Sequence, residues 1–223
     1  MRAALGPVPV DRVDRFAPLL SPGPFSNPPS AEPTLDDLLE LFHLAGRLKE
    51  TPRAGWKLRG IEHPESVADH SYRLALMALV LAPRADEPLD RARCVAMALV
   101  HDLAESLVGD ITPYDGISPE EKRRREAEAV RRLDALAEGA GLRALWEEYD
   151  AAATPEARFV KELDKLETAF QAAEHTRGGA ASAEEMREFH DNAARRVTST
   201  ITRELLDALG TGLGGVEQTP RRG

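Results

Sequence analysis

The sequence predicts a compact all-α domain. Apolar residues recur at three- and four-residue spacing in segment after segment, Ser or Thr stands before several of those segments, and strand-like alternation is absent. Thr34 caps the first helix with Asp37 three residues on, and Leu35, Leu38, Leu39, Phe42 and Leu48 form its expected apolar face. The stretch TPRAGWKLRGIEHPE carries two prolines and two glycines and reads as a loop or short irregular lead-in. Ser66 caps a second helix with Asp69 at its third position. Its inner stripe is Val67, His70, Leu74, Met77, Ala78 and Leu81, and Pro83 ends it. A third, mostly apolar helix is expected over 89–108, stopped by Gly109. Ser118 and Pro119 open a charged helix to about residue 137. Helices near 142–149, 155–175 and 182–209 follow.

Eight prolines (Pro7, Pro9, Pro18, Pro22, Pro24, Pro28, Pro29 and Pro33) fall in residues 1–33, which are expected to form a flexible arm. The domain is expected over 34–210, and the Gly-rich stretch 211–223 as a flexible tail. No internal repeat is visible.

Composition excludes several function classes. With 29 Lys+Arg against 38 Asp+Glu, the net charge of −9 argues against a nucleic-acid polymer as partner, although a small phosphorylated substrate needs only a local cation. The single Cys94 rules out an internal disulfide and Cys-rich zinc sites. No apolar run approaches the roughly 20 residues of a spanning helix, so no membrane partner is expected. The opening MRAALGPVPVDRVD lacks the apolar run of a secretory signal, and a cytoplasmic location is expected.

The chemistry concentrates in His70, His101-Asp102 and Asp164, each standing where a helix would place an apolar residue. Taken singly, each has an ordinary reading. His70 is then a hydrogen-bonded core histidine, Asp164 pairs with Lys161 or Lys165, and Glu105 is a solvated helix residue. Jointly they weigh more. A buried, unpaired carboxylate costs several kcal/mol, so two imidazoles and two carboxylates converging from three helices make a site for a divalent cation. Glu105 lies four residues after His101 and three after Asp102, on the same helical face, and Asp110 follows the helix-stopping Gly109. Trp56 is either an aromatic wall of a ligand pocket or a plug at the core edge. Arg73, three residues beyond His70, either approaches the site or is an ordinary surface residue. The charge-alternating run 120–132 is assigned no catalytic role.

These residues resemble the HD-domain metal-dependent phosphohydrolases. The runs PESVADHS and HDLAESLVGDI, with Gly55-Trp56, Glu120-Glu121-Lys122, LWEEY and FVKELDK, are more specifically similar to the HD-domain 5′-deoxynucleotidases over roughly 35–205. The resemblance implies a first divalent cation on His70, His101, Asp102 and Asp164. It implies a second served by Glu105, Asp110 and the backbone of Ile111. It also implies release of phosphate from deoxyribonucleoside 5′-monophosphates and a homodimer. A metal-activated water would attack phosphorus, with Glu105 or Asp110 orienting or deprotonating that water or protonating the leaving alkoxide. Mixed His and carboxylate ligation suits Mn²⁺, Co²⁺, Fe²⁺, Ni²⁺ or Zn²⁺, and the second site Mg²⁺ or Mn²⁺. Bacterial relatives carry Arg-Trp before the first histidine. Here Gly55 precedes Trp56, so Arg53, Lys57 and Arg59 are the nearest basic candidates, and the substrate contacts expected are Trp56, Arg53 and Arg73. Two other readings stay open: an HD phosphohydrolase of cyclic nucleotides or triphosphates, and a non-catalytic all-α protein with a structural metal.

Overall fold

Local capping sets where most of the helices begin. The computed structural model describes residues 33–214, and ten α-helices with short 3₁₀ turns make up that stretch, without a sheet. They are α1 (Leu35–Gly46), α2 (Ala54–Leu58), α3 (Val67–Leu81), α4 (Arg91–Val100), α5 (Glu105–Val108), α6 (Pro119–Leu136), α7 (Leu142–Asp150), α8 (Pro155–Arg177), α9 (Ala183–Ala194) and α10 (Thr200–Gly214). Thr34, Ser66 and Ser182 form reciprocal capping boxes with Asp37, Asp69 and Glu185. Ser118 and Thr154 cap α6 and α8 ahead of a proline in the first turn.

The core that carries the site is the contact of α3, α4 and α8. Leu74 and Ala78 of α3, Met97 and Ala98 of α4, and Leu163 and Leu166 of α8 are fully buried against one another. The alanines keep the helices close, so polar side chains at the ends of these stripes are brought within bonding range. A second cluster joins α1, α5, α6 and α7 through Leu41, Leu44, Leu107, Leu133 and Trp146. The arm expected over 1–33 lies outside the described residues except for its last position. α10 continues past residue 210, the expected domain end, and the rest of the tail is outside the described residues.

Three expectations are corrected. The helix expected over 89–108 is two helices. Residues 101–104 between them are turn, with Leu103 N–H bonding Val100 O (3.0 Å), Glu105 N–H bonding Asp102 O (3.0 Å) and Ser106 N–H bonding Leu103 O (3.2 Å). These three-residue turns wind tighter than an α-helix, so side chains three apart superimpose. Gly109, at φ +75°, ends the segment in a conformation that favours glycine. The expected apolar face of α1 is also wrong in part: Leu35, Leu39 and Phe42 are exposed, and Leu41 and Leu44 are buried. That helix is apolar around much of its circumference, and its docking onto α5 and α6 selects the buried stripe.

The helix expected over 182–209 breaks after Ala194 and restarts at Thr200. Glu162 of α8 is the cause. Its carboxylate accepts bonds from the Ser199 N–H (3.0 Å), Ser199 Oγ (2.9 Å) and Thr202 Oγ1 (2.9 Å), and also from Thr198 Oγ1. A carboxylate from another helix thus caps α10 and satisfies its first donors. Burial pushes the Glu162 carboxyl up, but the donors of Thr198, Ser199 and Thr202 outweigh it and hold the group below its ordinary value. A carboxyl depressed on folding stabilises above its unfolded pKa and loses that contribution as pH falls through the folded value. Glu162→Ala is therefore expected to destabilise the protein by about 2–4 kcal/mol at neutral pH in denaturant unfolding. The gap to the parent should narrow on acidification below the ordinary glutamate range; a gap independent of pH would show that packing, not the ionised cap, is responsible.

Candidate metal centre

The Ser66–Asp69 capping box fixes the first turn of α3 and places His70 at its fourth position, where the ring is completely buried. Its Nδ1 bonds the Glu167 carboxylate, which leaves Nε2 for the centre of the site. His101, in the turn after α4, bonds the Ala98 carbonyl through Nδ1 (2.9 Å) and turns its Nε2 the same way. The two Nε2 atoms stand 3.3 Å apart. Asp164, from the middle of α8, sets Oδ1 3.4 Å from His70 Nε2. Asp102 Oδ2 is 3.0 Å from His101 Nε2 and 3.8 Å from His70 Nε2.

This donor set fits a divalent cation. Ligand atoms of His70, His101 and Asp164 all lie within 4.8 Å of one another. Two ligand atoms about 2.1 Å from one ion stand about 3.0–3.4 Å apart, the spacing of the two imidazole nitrogens here. Mixed nitrogen and oxygen donors leave the identity of the metal open among the first-row divalent ions. Each histidine has its outer nitrogen pinned by a second group, the arrangement that orients metal-binding imidazoles.

Electrostatics point the same way. Burial and the Arg53 charge push His70 down, but Glu167 and the bonds to Asp164 and Glu167 lift its pKa to about 9. Burial raises Asp102, yet the charge and hydrogen bond of His101, with Arg53 and His70, hold it well below the usual carboxylate range. Glu105 goes the other way: burial, then the Asp102 and Asp110 charges, push it well above its ordinary value. Its Oε2 is buried and has no hydrogen-bond partner among the described residues. So many acids in one place call for a cation.

A cavity of about 340 Å³ opens on this cluster. His101, Asp102 and Asp164 reach its wall, while His70 stands behind them. Glu105, Asp110 and Ile111 line the same cavity. Asp110 Oδ2 accepts the Ala54 N–H (2.7 Å), and the Ile111 carbonyl accepts Lys122 Nζ (2.8 Å). Arg53 lines the cavity with Nη1 3.2 Å from Asp102 Oδ2. Trp56 is both wall and core plug: it faces the cavity, yet only 2% of it is exposed, and its Nε1 bonds Glu65 (3.0 Å). Arg73 is not brought to the cavity. Its guanidinium bonds Glu167, Glu174 (2.7 Å) and Gln171 (2.6 Å) on α8.

Several site residues escape a sequence reading. Glu167 is fully buried and ties His70 to Arg73. Its signal was present, since it follows Asp164 by three residues on the inner face of α8. Tyr149 donates to Asp164 Oδ2 (3.2 Å) from α7. Phe189 of α9 packs on Trp56 with ring centroids 4.4 Å apart and lines the cavity, a meeting that no local pattern announces. Lys122 and Glu126 also line it, although their helix reads as purely solvent-facing.

An all-α bundle that gathers two histidines and two aspartates from α3, α8 and the turn between α4 and α5, with a cavity on one side, defines an HD-type metal-dependent hydrolase. The family model described as HD domain matches residues 45–205, and the chain belongs to that family. It is 49% identical over 142 residues to 5′-deoxynucleotidase HDDC2 of Bos taurus, covering 62% of this chain and 68% of that protein. It is 44% identical over 138 residues to 5′-deoxynucleotidase hdd1 of Schizosaccharomyces pombe, covering 59% and 68%. Among solved structures, a conserved hypothetical protein from Pyrococcus furiosus superposes with a TM-score of 0.63 at 31% identity, covering 78% of this chain and 98% of that one. Among the described residues no helix is long and apolar enough to cross a membrane.

Two predictions test the centre. His101→Ala or Asp102→Ala should lose bound divalent metal, measured by elemental analysis of the purified protein. Retention of stoichiometric metal would remove these residues from the ligand set. Glu167→Ala takes the acceptor from His70 and should weaken metal affinity by about 10–100-fold in titrations of chelator-treated protein. Unchanged affinity would mean that packing alone orients His70.

Proposed function

We propose that this protein is a 5′-deoxynucleotidase, releasing phosphate from deoxyribonucleoside 5′-monophosphates. The observation that carries the reading is the open side of the donor cluster: a closed structural site would surround its ion with protein, whereas His101, Asp102 and Asp164 meet a cavity of about 340 Å³, room enough for a phosphate and a sugar. The names of the relatives at 49% and 44% identity supply the substrate class.

His70, His101, Asp102 and Asp164 would hold the first divalent cation, and Glu105, Asp110 and the Ile111 carbonyl are assigned to a second. A divalent ion held there supplies polarisation of a phosphate oxygen and acidification of a water. Glu105, which lines the cavity and whose Oε2 has no hydrogen-bond partner among the described residues, is the group we assign to accept the proton of the attacking water. Asp110, whose Oδ2 accepts the Ala54 N–H, is assigned to share the proton transfer, either orienting the attacking water or giving a proton to the leaving 5′-oxygen. Trp56 and Phe189 offer an aromatic wall for the sugar and base, and Arg53 contributes charge beside Asp102. The attacking group is water, so no nucleophilic side chain is required, and Cys94 lies buried in the core.

The working form is proposed to be a cytoplasmic homodimer. In support, Tyr72, Leu76 and Leu79 form an exposed apolar stripe on α3, besides the exposed stripe of α1. The lone buried Cys94 makes no demand for an oxidising compartment.

Paired deoxyribo- and ribonucleoside 5′-monophosphates, assayed with triphosphates and cyclic nucleotides, test the reading. Release of inorganic phosphate from the deoxy monophosphates, abolished by chelator and restored by divalent metal, is expected. Pyrophosphate or triphosphate as product would move the protein to another class of HD hydrolase, and loss of helicity on chelation without prior activity would make the metal structural. Glu105→Ala should keep the first ion and lower turnover by about 100-fold or more; unchanged turnover would remove Glu105 from the proton transfer.

A further inference from the structure

Three cationic side chains line the cavity, and they are engaged differently. Arg53 is bound to the Asp102 carboxylate at 3.2 Å, and Lys165 to the Asp164 carboxylate at 2.8 Å. Both cations neutralise carboxylates assigned to the metal, and reaching a phosphate would take the cationic partner from Asp102 or Asp164. Lys122 differs. Its Nζ makes its short bond, 2.8 Å, to a backbone carbonyl and not to a carboxylate; the acceptor is Ile111, the carbonyl also assigned to the second cation, which would compete for it and release the ammonium. Among the described residues its one ion pair is with Glu126, at 3.5 Å, beyond a normal hydrogen bond. An ammonium carries three donors, so two remain.

The position is built. Lys122 sits in the first turn of α6, whose start is fixed by the Ser118 cap, and its bond to Ile111 ties that helix to the wall that carries Asp110. The side chain is 35% exposed, partly sunk into the wall and open to the cavity. The other basic candidates have no such place: Lys57 is exposed on α2, and Arg59 pairs with Glu188 and lies over the Phe189 ring.

We propose that Lys122 is the phosphate-binding residue of this site, with its two remaining ammonium protons directed to the oxygens of a dianionic phosphate monoester. The proposal rests on the phosphomonoesterase reading above. It gives the charge-alternating start of α6 a task in recognition that its sequence pattern does not suggest.

The test uses the metal-loaded full chain with Lys122→Met, Lys122→Gln and Lys122→Arg. Inorganic phosphate is the probe, its dissociation constant measured by calorimetry, beside metal content and steady-state kinetics on a deoxynucleoside monophosphate. Loss of one charge-assisted contact is expected to weaken phosphate binding by about tenfold or more in the Met and Gln variants, with metal content unchanged and KM raised. The Arg variant should recover much of the affinity. Gln keeps a donor for the Ile111 carbonyl without the charge, so parental phosphate affinity in that variant would overturn the proposal, as would parental affinity in the Met variant. Loss of metal from both would overturn it too, because the charge would then serve the ion. If the parent chain hydrolyses no monoester yet binds phosphate through Lys122, the nucleotidase reading fails and this assignment stands.

Discussion

An excess of buried carboxylate at the junction of α3, α8 and the 101–104 turn is the constraint on which the structure rests. Asp102, Glu105, Asp164 and Glu167 all lie within or at the edge of the core, with His70, His101 and a few cations to answer them. Such a cluster is tolerable only if every acid has a partner, because desolvating an unpaired carboxylate offsets the packing gained around it. The protein partners cover most of the need: Arg73 for Glu167, Lys165 and Tyr149 for Asp164, Arg53 for Asp102. Glu105 is left over, raised above its ordinary value and with one oxygen unbonded among the described residues. The remaining demand for positive charge is what makes the site a binder of cations and, through Lys122, a place where an anion is met by protein charge as well.

The same economy of acids organises α8. Three carboxylates project inward from this one helix within six positions, and each has a different task. Glu162 caps α10 from outside that helix, Asp164 faces the metal cluster, and Glu167 pins His70 and Arg73. Fold and site are therefore coupled through one rod. The apolar residues between them, Leu163 and Leu166, are fully buried, so the rod has little freedom to turn. Rotating it enough to free one acid would displace the others.

The cavity shows how loop and helix share the work. Turn residues carry His101 and Asp102, and the tighter winding of 101–104 stacks Asp102 with Glu105. The opposite wall comes from the lead-in to α2, with Arg53 and Trp56, and from Phe189 of α9. Trp56 spans both roles, since its packing against His175 and Phe189 anchors the wall that it forms. A rigid donor cluster facing an aromatic wall suits a ligand with a charged head and a flat apolar end.

Helix existence, the capping boxes at Thr34 and Ser66, and the four polar intruders on apolar faces were legible in the sequence, because each is a short-range pattern: a hydroxyl three residues from a carboxylate, or an ionisable group in an apolar stripe. What needed the tertiary structure was every choice made by a distant partner. The break before α10 is made by a carboxylate 37 residues away from Ser199, the outward turn of Arg73 by three residues of α8, and the buried stripe of α1 by its docking on α5 and α6. Lys122 and Glu167 belong to the same group: one resembles any surface lysine, the other any helix glutamate, until Ile111 and His70 stand beside them. Periodicity says that a side chain faces inward; only the packed chain determines what it meets there, since such partners are set by contacts between segments far apart in the chain.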